Sequence, residues 1–204
     1  MTIHVGLNLM PSEDFRLAAL PLFEEGVVDA VEWNLDMGWG GGGAPAWVDA
    51  LREAYAAEGR LYGHGVEFSL LSAELSPRQE RWLVQFEAEL ARFRYARVSE
   101  HFGFLTAGDY VGNTVIPHPY TKAAVRLGRD RLARLSEIAG SAVGLENLAL
   151  AFSARDVDAQ PDFLDELLAP SDGYLLLDLH NLFCQAVNFG RDPVALLERY
   201  PLGR

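Results

Sequence analysis

The chain alternates short apolar runs with longer segments whose apolar residues recur every three or four positions. The apolar runs predict six β-strands, and the periodic segments predict amphipathic helices between them. The predicted strands cover residues 3–9, 27–35, 61–71, 95–104, 142–150 and 174–177. Helix start signals support this division. Ser76-Pro77-Arg78-Gln79, for example, combines a capping serine, a proline at the first helical position and a glutamine three residues after the cap.

Six alternating strand–helix units indicate a parallel sheet with right-handed crossovers, and therefore the α/β class. An open dinucleotide-binding sheet is disfavoured, because the first strand carries Gly6-Leu-Asn-Leu-Met-Pro and not the glycine fingerprint. A TIM-barrel-like parallel (β/α) barrel fits better, since polar residues stand at or near the end of nearly every strand. We therefore predict one (β/α)-barrel domain over residues 1–204, with about six of eight units present and the C-terminal units lacking.

The charge balance narrows the range of partners. A formal net charge of -12 and a pI near 4.8 argue against nucleic acid and against an anionic membrane surface. No apolar run approaches the ~18 residues that span a bilayer, and the N-terminus lacks the build of a signal peptide. The single cysteine, Cys184, excludes an internal disulfide and fits a reducing compartment. These features predict a cytoplasmic protein.

The last predicted strand ends in a polar cluster. Residues 174–177 predict a strand buried on both faces, yet Asp178, His180 and Asn181 follow within four residues. Buried polar groups without partners cost several kcal/mol, on the order of 2–7. Metal coordination is one way to satisfy all three side chains.

Three other predicted strands carry residues of the same kind. His64 lies between two glycines, His101 stands near a strand end, and Glu146 interrupts an apolar strand. The carboxyl ends of barrel strands converge on one mouth, so these side chains are expected to face Asp178 and its neighbours. Imidazole and carboxylate ligands suit iron, zinc or manganese. Further polar residues expected to orient the ligands are Glu32, Asn34, Asp36, Glu67, Glu100 and Asn147.

We expect the two remaining histidines and the cysteine to have structural roles and not to bind metal. His4 and His118 are predicted to be hydrogen-bonded core histidines, and Cys184 is predicted to be a small core residue. The glycine-rich loop 38–43 lacks the lysine of a phosphate-binding loop and precedes an acidic helix. We interpret this loop as a mobile flap over the barrel mouth.

Several short motifs resemble those of the DUF692 family. They are Gly63-His64-Gly65-Val66 with Ser69, Ser99-Glu100-His101, Pro119-Tyr120-Thr121, Glu146-Asn147, Asp178 with Asn181, and Ala186-Val187-Asn188. They run in order over nearly the whole chain. The family includes the methanobactin oxazolone synthase subunit and a related enzyme that acts on a peptidyl cysteine.

The resemblance implies a barrel like that of xylose isomerase, with two or three iron ions as cofactor. It also implies an oxygen-using enzyme that modifies cysteines of small ribosomal peptides, working with a separate partner protein that captures the peptide. His64, His101, Glu146 and Asp178 match metal positions of the family, and Glu146 is expected to bridge two cations. Glu146 and Asp178 are the predicted catalytic residues. Candidate ligands beyond those four are His180 and Asn181.

Two departures from the family pattern bear on the site. Phe189 stands where the family usually has a histidine after Ala-Val-Asn, and Asp178-Leu179-His180-Asn181 replaces the family's Asp-x-Asn-Asn. Either His180 replaces the lost imidazole, or the site holds fewer metals. Ligands from the last two strands of the family barrel would lie beyond Arg204. The chain is therefore expected to be a fragment or a shortened relative, with exposed strand edges that favour a homodimer.

The sequence is compatible with three functions. The first is an iron-dependent oxidase or oxygenase that modifies cysteine in a small ribosomal peptide. The second is a divalent-metal sugar isomerase or phosphoester hydrolase on the same barrel, using zinc or manganese. The only lysine, Lys122, lies on a predicted helix and not at a strand end, which weakens the isomerase. The third is a degenerate, non-catalytic binding protein, suggested by Phe189 and the missing strands.

Overall fold

The computed structural model describes residues 3–39 and 42–204, and in these ranges strands and helices alternate along the chain. The strands are β1 Gly6–Asn8, β2 Ala30–Asn34, β3 Leu61–Gly65, β4 Arg97–His101, β5 Phe104–Ala107, β6 Tyr110–Ile116, β7 Val143–Glu146 and β8 Leu175–Leu176. The helices are α1 Glu13–Glu24, α2 Ala46–Ala57, α3 Pro77–Arg92, α4 Lys122–Ala139, α5 Ala154–Leu168, α6 Leu179–Asn188 and α7 Pro193–Leu197. Two short 3-10 helices cover Leu35–Gly38 and Ala169–Ser171.

Six strands form one sheet in the order β1-β2-β3-β4-β7-β8, and β5 and β6 form a separate two-stranded sheet. β1 pairs with β2, β2 with β3, and β7 with β8, all in parallel. Sequence neighbours are sheet neighbours once the β5–β6 hairpin is set aside, as in consecutive units of a (β/α) barrel. The predicted α/β class with about six barrel-type units is confirmed.

The described residues of Met1–Val66 and Val84–Val98 form one compact unit. Its core includes Trp33, Val48, Leu61 and Phe93, each almost inaccessible to solvent. Arg52 is also buried there, with its guanidinium 3.7 Å from the Phe93 ring centroid. Burial lowers the pKa of Arg52. Its charge is offset by ion pairs whose acidic partners are Asp49, at 2.8 Å, and Glu89.

Glu67–Leu83 and Ser99–Arg204 form the second compact unit. α4 and α5 pack so closely that a Cβ at Gly128 would lie only 2.6 Å from Leu167 Cδ2. The Phe163 ring packs edge-on against Phe102 and stacks on Tyr120, with centroid distances of 4.8 and 4.9 Å. The Tyr120 hydroxyl donates to Glu166 Oε2 at 2.6 Å, and this hydrogen bond raises the pKa of Tyr120 to about 12.

Capping side chains lie at the starts of several helices. The predicted capping box is present, because the Gln79 side chain accepts from the Ser76 backbone N–H at 3.1 Å and the Gln79 N–H donates to Ser76 Oγ at 3.4 Å. At three other helices the capping side chain accepts from the N–H of the third helical residue, and these caps are Ser12, Thr121 and Ser153. α5 therefore begins at Ala154, directly after the Ser153 cap.

Several predicted elements differ in extent. All six sheet strands are shorter than their apolar runs. β3 shows the largest difference, because its run continues beyond Gly65 into the buried residues 68–71. Residues 104–116 form the unpredicted β5–β6 hairpin. The prediction that residues 174–177 are buried on both faces is wrong. These residues are half-buried, since β8 is the last strand of the sheet among the described residues.

Two further features bear on the predictions from sequence. Part of the glycine-rich loop proposed as a flap, residues 40–41, lies outside the described residues. None of the helices in the described ranges is long and apolar enough to cross a bilayer.

Candidate metal centre

His64 and Glu146 lie at the carboxyl ends of β3 and β7, where both are buried, with exposed fractions of 5% and 7%. His101 is the last residue of β4 and is partly exposed. The glycine before His64 is required by packing, because a Cβ at Gly63 would lie 2.9 Å from Leu35 Cδ2. Glycine at position 63 therefore lets the backbone next to His64 pack closely against the neighbouring side chains.

His101 and Glu146 are in direct contact. The distance between His101 Nε2 and Glu146 Oε2 is 3.1 Å. The backbone reinforces this contact, because the Phe102 N–H donates to the Glu146 carbonyl oxygen at 3.1 Å. The His101 N–H also donates to Glu100 Oε1 at 3.1 Å. The ends of β4 and β7 are thus held in a fixed register at the site.

The second carboxylate oxygen of Glu146 has its own partner. Asn181 Nδ2 donates to Glu146 Oε1 at 3.1 Å and to the Asn147 carbonyl oxygen at 2.9 Å. The two oxygens of Glu146 therefore face two different partners, Asn181 and His101. A carboxylate held in this way has a defined orientation, which is a requirement of a preorganised ligand.

Asn147 and Asp178 connect β7 to the start of α6. The Asp178 N–H donates to Asn147 Oδ1 at 2.7 Å, and Asn147 Nδ2 donates to the Asp178 carbonyl oxygen at 3.0 Å. Asp178 Oδ1 accepts from the Asn181 N–H at 2.8 Å and so caps α6. Asn147 is fully buried, and these reciprocal bonds account for its burial.

His64, His101 and Glu146 each offer one ligand atom, and the three atoms lie within 4.8 Å of one another. Two imidazoles and one carboxylate from different strands form a donor set that fits a transition-metal cation such as iron, zinc or manganese. Within residues 3–39 and 42–204, this is the group of histidine and acidic side chains with metal-binding geometry.

The other predicted ligands lie outside that group. His180 is exposed on α6, with its Nε2 3.5 Å from Cys184 Sγ. The carboxylate of Asp178 caps α6, and Asn181 contacts Glu146. Phe189 ends α6, where its N–H donates to the Gln185 carbonyl oxygen.

The residues expected to orient the ligands have varied partners. Asn8 Nδ2 donates to Glu32 Oε1 at 2.6 Å and to Asn34 Oδ1 at 3.2 Å. Asp36 Oδ2 accepts from the Val66 N–H at 2.9 Å, two residues after His64. Glu67 forms an ion pair with Arg78 at 2.8 Å. Asp36 and Asn147 therefore fix the backbone next to predicted ligands.

Two structural interpretations need correction. His4 is exposed and is not a core residue, because it precedes β1 at the edge of the sheet. Cys184 is only partly buried, since it lies on the same side of α6 as the exposed His180. His118 is half-buried, with its Nδ1 2.9 Å from the Pro119 carbonyl oxygen.

Sequence reasoning missed Ser69 as an organising residue. Its φ of 66° lies in the left-handed region, and its buried hydroxyl accepts from the N–H groups of Leu105 and Thr106 at 2.6 and 3.0 Å. A serine in this conformation is uncommon and costs about 1–3 kcal/mol. No sequence pattern predicts a positive φ at a serine.

Residues 33–204 match the family model described as "RiPP precursor modification enzyme MbnB/TglH/ChrH", and the chain belongs to this family. The resemblance to DUF692 is thereby confirmed. A UPF0276 protein of Acaryochloris marina is 31% identical over 167 residues, which are 80% of this chain and 58% of that protein. A UPF0276 protein of Caulobacter vibrioides is 30% identical, over 97% of this chain and 72% of that protein. The chain thus spans less than two thirds of some curated relatives.

Solved structures support the fold. Endonuclease IV from Thermus thermophilus superimposes with a TM-score of 0.57 at 17% identity, over 97% of this chain and 70% of that one. L-ribulose 3-epimerase superimposes with a TM-score of 0.55 at 16% identity, over 89% and 62%. At these identities the likeness shows a TIM-barrel-like fold and no further property.

Proposed function

We propose that this chain belongs to a metal-dependent oxidase or oxygenase that modifies cysteine residues of a small, ribosomally made precursor peptide. The observation that carries the proposal is the convergence of His64, His101 and Glu146 within 4.8 Å, in a chain of the RiPP-modifying family. The donor set supports a transition metal, and the family supports a peptide substrate.

Glu146 is the central ligand in this proposal. Its Oε2 and His101 Nε2 lie close enough to share one cation, and the position of His64 makes it the third ligand. The side-chain amide of Asn181 donates to Oε1, so the orientation of the carboxylate would stay fixed with a cation at Oε2. If a second cation is bound, Asp178 and Asn181 are the further candidate ligands beside Glu146.

We infer iron as the metal, with two or three ions and with zinc or manganese as alternatives. Bound iron would supply the redox chemistry by which dioxygen accepts electrons from the substrate thiol. The chain's own residues then have three tasks: to hold the cation, to keep Glu146 oriented, and to leave a partly exposed side at His101 for the thiol. A separate partner protein that captures the peptide also belongs to the proposal.

Metal content tests the proposal directly. We expect the wild-type chain, purified aerobically, to hold at least one equivalent of iron and to lose thermal stability when the metal is chelated. His101→Ala and Glu146→Gln should each lower the bound metal by more than tenfold, because each removes one of three ligands. His118→Ala is the matched control, since His118 binds a backbone oxygen outside the group. Elemental analysis and thermal unfolding with and without chelator provide the measurements.

Two results would contradict the proposal. The first is substoichiometric transition metal together with unchanged stability on chelation. The second is equal metal content in His101→Ala, Glu146→Gln and the His118→Ala control.

A further inference from the structure

The β5–β6 hairpin has one occupied edge and one open edge. On the β5 side, Ser69 Oγ accepts from two consecutive backbone N–H groups, those of Leu105 and Thr106. Ser72 Oγ donates to the Thr106 carbonyl oxygen on the same side. β6 pairs only with β5 in the described sheet, so the hydrogen-bonding groups on its outer edge face no other strand.

β6 lacks charged residues and proline, two of the features that normally protect an edge strand, although its register against β5 shifts between Phe104 and Thr106. Its seven residues, Tyr110–Ile116, include no charged residue and no proline. Val111 is 65% exposed and Tyr110 is 47% exposed. Natural proteins usually place lysine, proline or a covering element on such an edge, because an open edge recruits another strand.

The base of the hairpin is held rigidly, so the open edge is presented in a fixed position. Ser69, Ser72 and Thr106 are all more than nine-tenths buried and share one hydroxyl network, with Ser69 Oγ 2.6 Å from Ser72 Oγ. The Leu71 N–H donates to the Gly103 carbonyl oxygen at 2.8 Å. A preorganised edge loses little entropy when a strand is added.

The hairpin also lies close to the candidate metal centre along the chain. β5 begins at Phe104, three residues after His101, and Phe104 pairs with Ile116 of β6. Three residues span at most ~10 Å, and a strand added beside β6 would lie two spacings of about 4.8 Å from β5. An added strand therefore lies within roughly 20 Å of His101, a distance that about six extended residues cover.

We propose that the outer edge of β6 binds an extended, uncharged segment of the precursor peptide by strand addition. This inference rests on the proposed function. Backbone hydrogen bonds would give affinity, and alternate side chains would give selectivity. A cavity of about 620 Å³, bordered by Thr106, Ala107 and Val111 on the hairpin and by residues 72–78, is available for one of those side chains. The reactive cysteine would then follow or precede the bound segment by about six residues.

Charge favours a peptide over a second copy of this chain as the occupant. With a formal net charge of -12, two copies repel each other on approach. A short peptide that is neutral or basic overall is not repelled, and the uncharged edge leaves no charge on β6 to be desolvated.

Selection from a phage-displayed library of random dodecapeptides tests this inference and does not require the sequence of the precursor. We expect enriched peptides to contain uncharged, β-branched segments, and to protect the amides of residues 110–116 from hydrogen exchange. Val111→Lys should weaken their binding at least tenfold, because it places a charge on the edge. Val84→Lys is the matched control, since Val84 is 66% exposed on α3 and Val111 is 65% exposed.

A synthetic copy of an enriched peptide provides a second arm that does not depend on a protein variant. Methylation of alternate backbone nitrogens should abolish its binding, because strand addition needs those N–H groups. The inference is overturned if no peptide is enriched, or if Val111→Lys and the methylated peptide bind as well as their parents. A wild-type dimer that Val111→Lys dissociates would also overturn it, because the edge would then bind a second copy.

The metal assay separates this inference from the proposed function. Iron binding that depends on His101, without peptide binding at β6, would contradict only the inference. Peptide binding at β6 by a chain that holds no transition metal would contradict only the proposed function.

Discussion

Asn181 contacts the candidate metal centre from outside the group of three converging side chains. Its side-chain amide donates to Glu146 Oε1 and to the Asn147 carbonyl oxygen, while its backbone N–H is bound by Asp178. One residue thus ties the carboxylate to the end of β7 and the start of α6. The sequence predicted a role for Asn181 as a ligand, and its hydrogen bonds support an orienting role as well.

Replacement of Asn181 by alanine should weaken metal binding by about 10- to 100-fold, because Glu146 loses the partner that fixes its orientation. It should also destabilise the metal-free chain by about 1–3 kcal/mol, since the Asn147 carbonyl oxygen loses its donor. Competition with a chelator measures the metal affinity, and urea unfolding measures the stability. Asn188→Ala, at the exposed end of the same helix, is the control. Equal metal affinities in the two variants would rule out the orienting role.

Residue patterns predicted the residues of the candidate site only in part. His64, His101 and Glu146 could be selected because each is polar in an apolar run, and parallel strands bring such positions to one end of a sheet. The direction of the His180 side chain could not be predicted in the same way. Its position depends on α6, which starts directly after Asp178 and turns His180 toward Cys184.

At the scale of elements, the β5–β6 hairpin and α6 were the structures that apolar periodicity missed. Gly108-Asp109 between Ala107 and Tyr110 is a two-residue hairpin signal, but the register shift between Phe104 and Thr106 interrupts the regular alternation. α6 carries three of its large apolar residues on an exposed stripe, Leu179, Phe183 and Val187, while Leu182 is buried. Periodicity predicts that such a stripe is buried, so it did not indicate a surface helix.

Ser69 lies in the segment between β3 and α3, and its hydroxyl holds β5. Replacements of Ser69 distinguish the effect of its hydrogen bonds from the effect of its backbone strain. Ser69→Ala should destabilise the chain by about 2–3 kcal/mol, because two buried N–H groups lose their acceptor. Ser69→Gly should be about 1 kcal/mol less destabilising than Ser69→Ala, since glycine adopts a φ of 66° without strain. Urea unfolding of both variants measures the difference.

Asp172 offers the matched control for Ser69. It also has a positive φ, of 50°, but it is exposed. Asp172→Gly should therefore leave stability unchanged or raise it slightly, because only strain is removed. If Ser69→Ala were as stable as the wild type, the buried hydroxyl network would contribute nothing to holding the hairpin.

At the scale of the whole molecule, the fold class followed from the sequence more readily than any single strand boundary. The fold class depends on the order of the elements, so the prediction stays correct even when each strand end is misplaced by several residues. The strands that alternate with helices are β1, β2, β3, β4, β7 and β8. Boundaries depend on where individual backbone groups find partners. β8, for example, narrows to Leu175–Leu176 because its hydrogen bonds come only from β7.

The net charge of the chain gives a prediction that no single site determines. With 29 acidic and 17 basic residues, self-repulsion should reduce stability at low ionic strength. Raising sodium chloride from about 10 to about 200 mM, with chelator present, should stabilise the chain by about 1 kcal/mol, because the Debye length shortens from ~30 Å to below 10 Å. Urea unfolding at each salt concentration measures this slope.

A triple variant distinguishes repulsion from a general effect of salt. Glu24, Glu53 and Glu87 are exposed and take part in no ion pair among the described residues. Changing all three to glutamine should raise stability at about 10 mM salt and flatten the salt dependence, because fewer negative charges remain to be screened. Changing Ser141, Gly203 and Ala57, which are also exposed, to glutamine is the control, since it leaves the charge unchanged. If both variants kept the wild-type slope, ion exclusion from the apolar surface, and not self-repulsion, would explain the effect of salt.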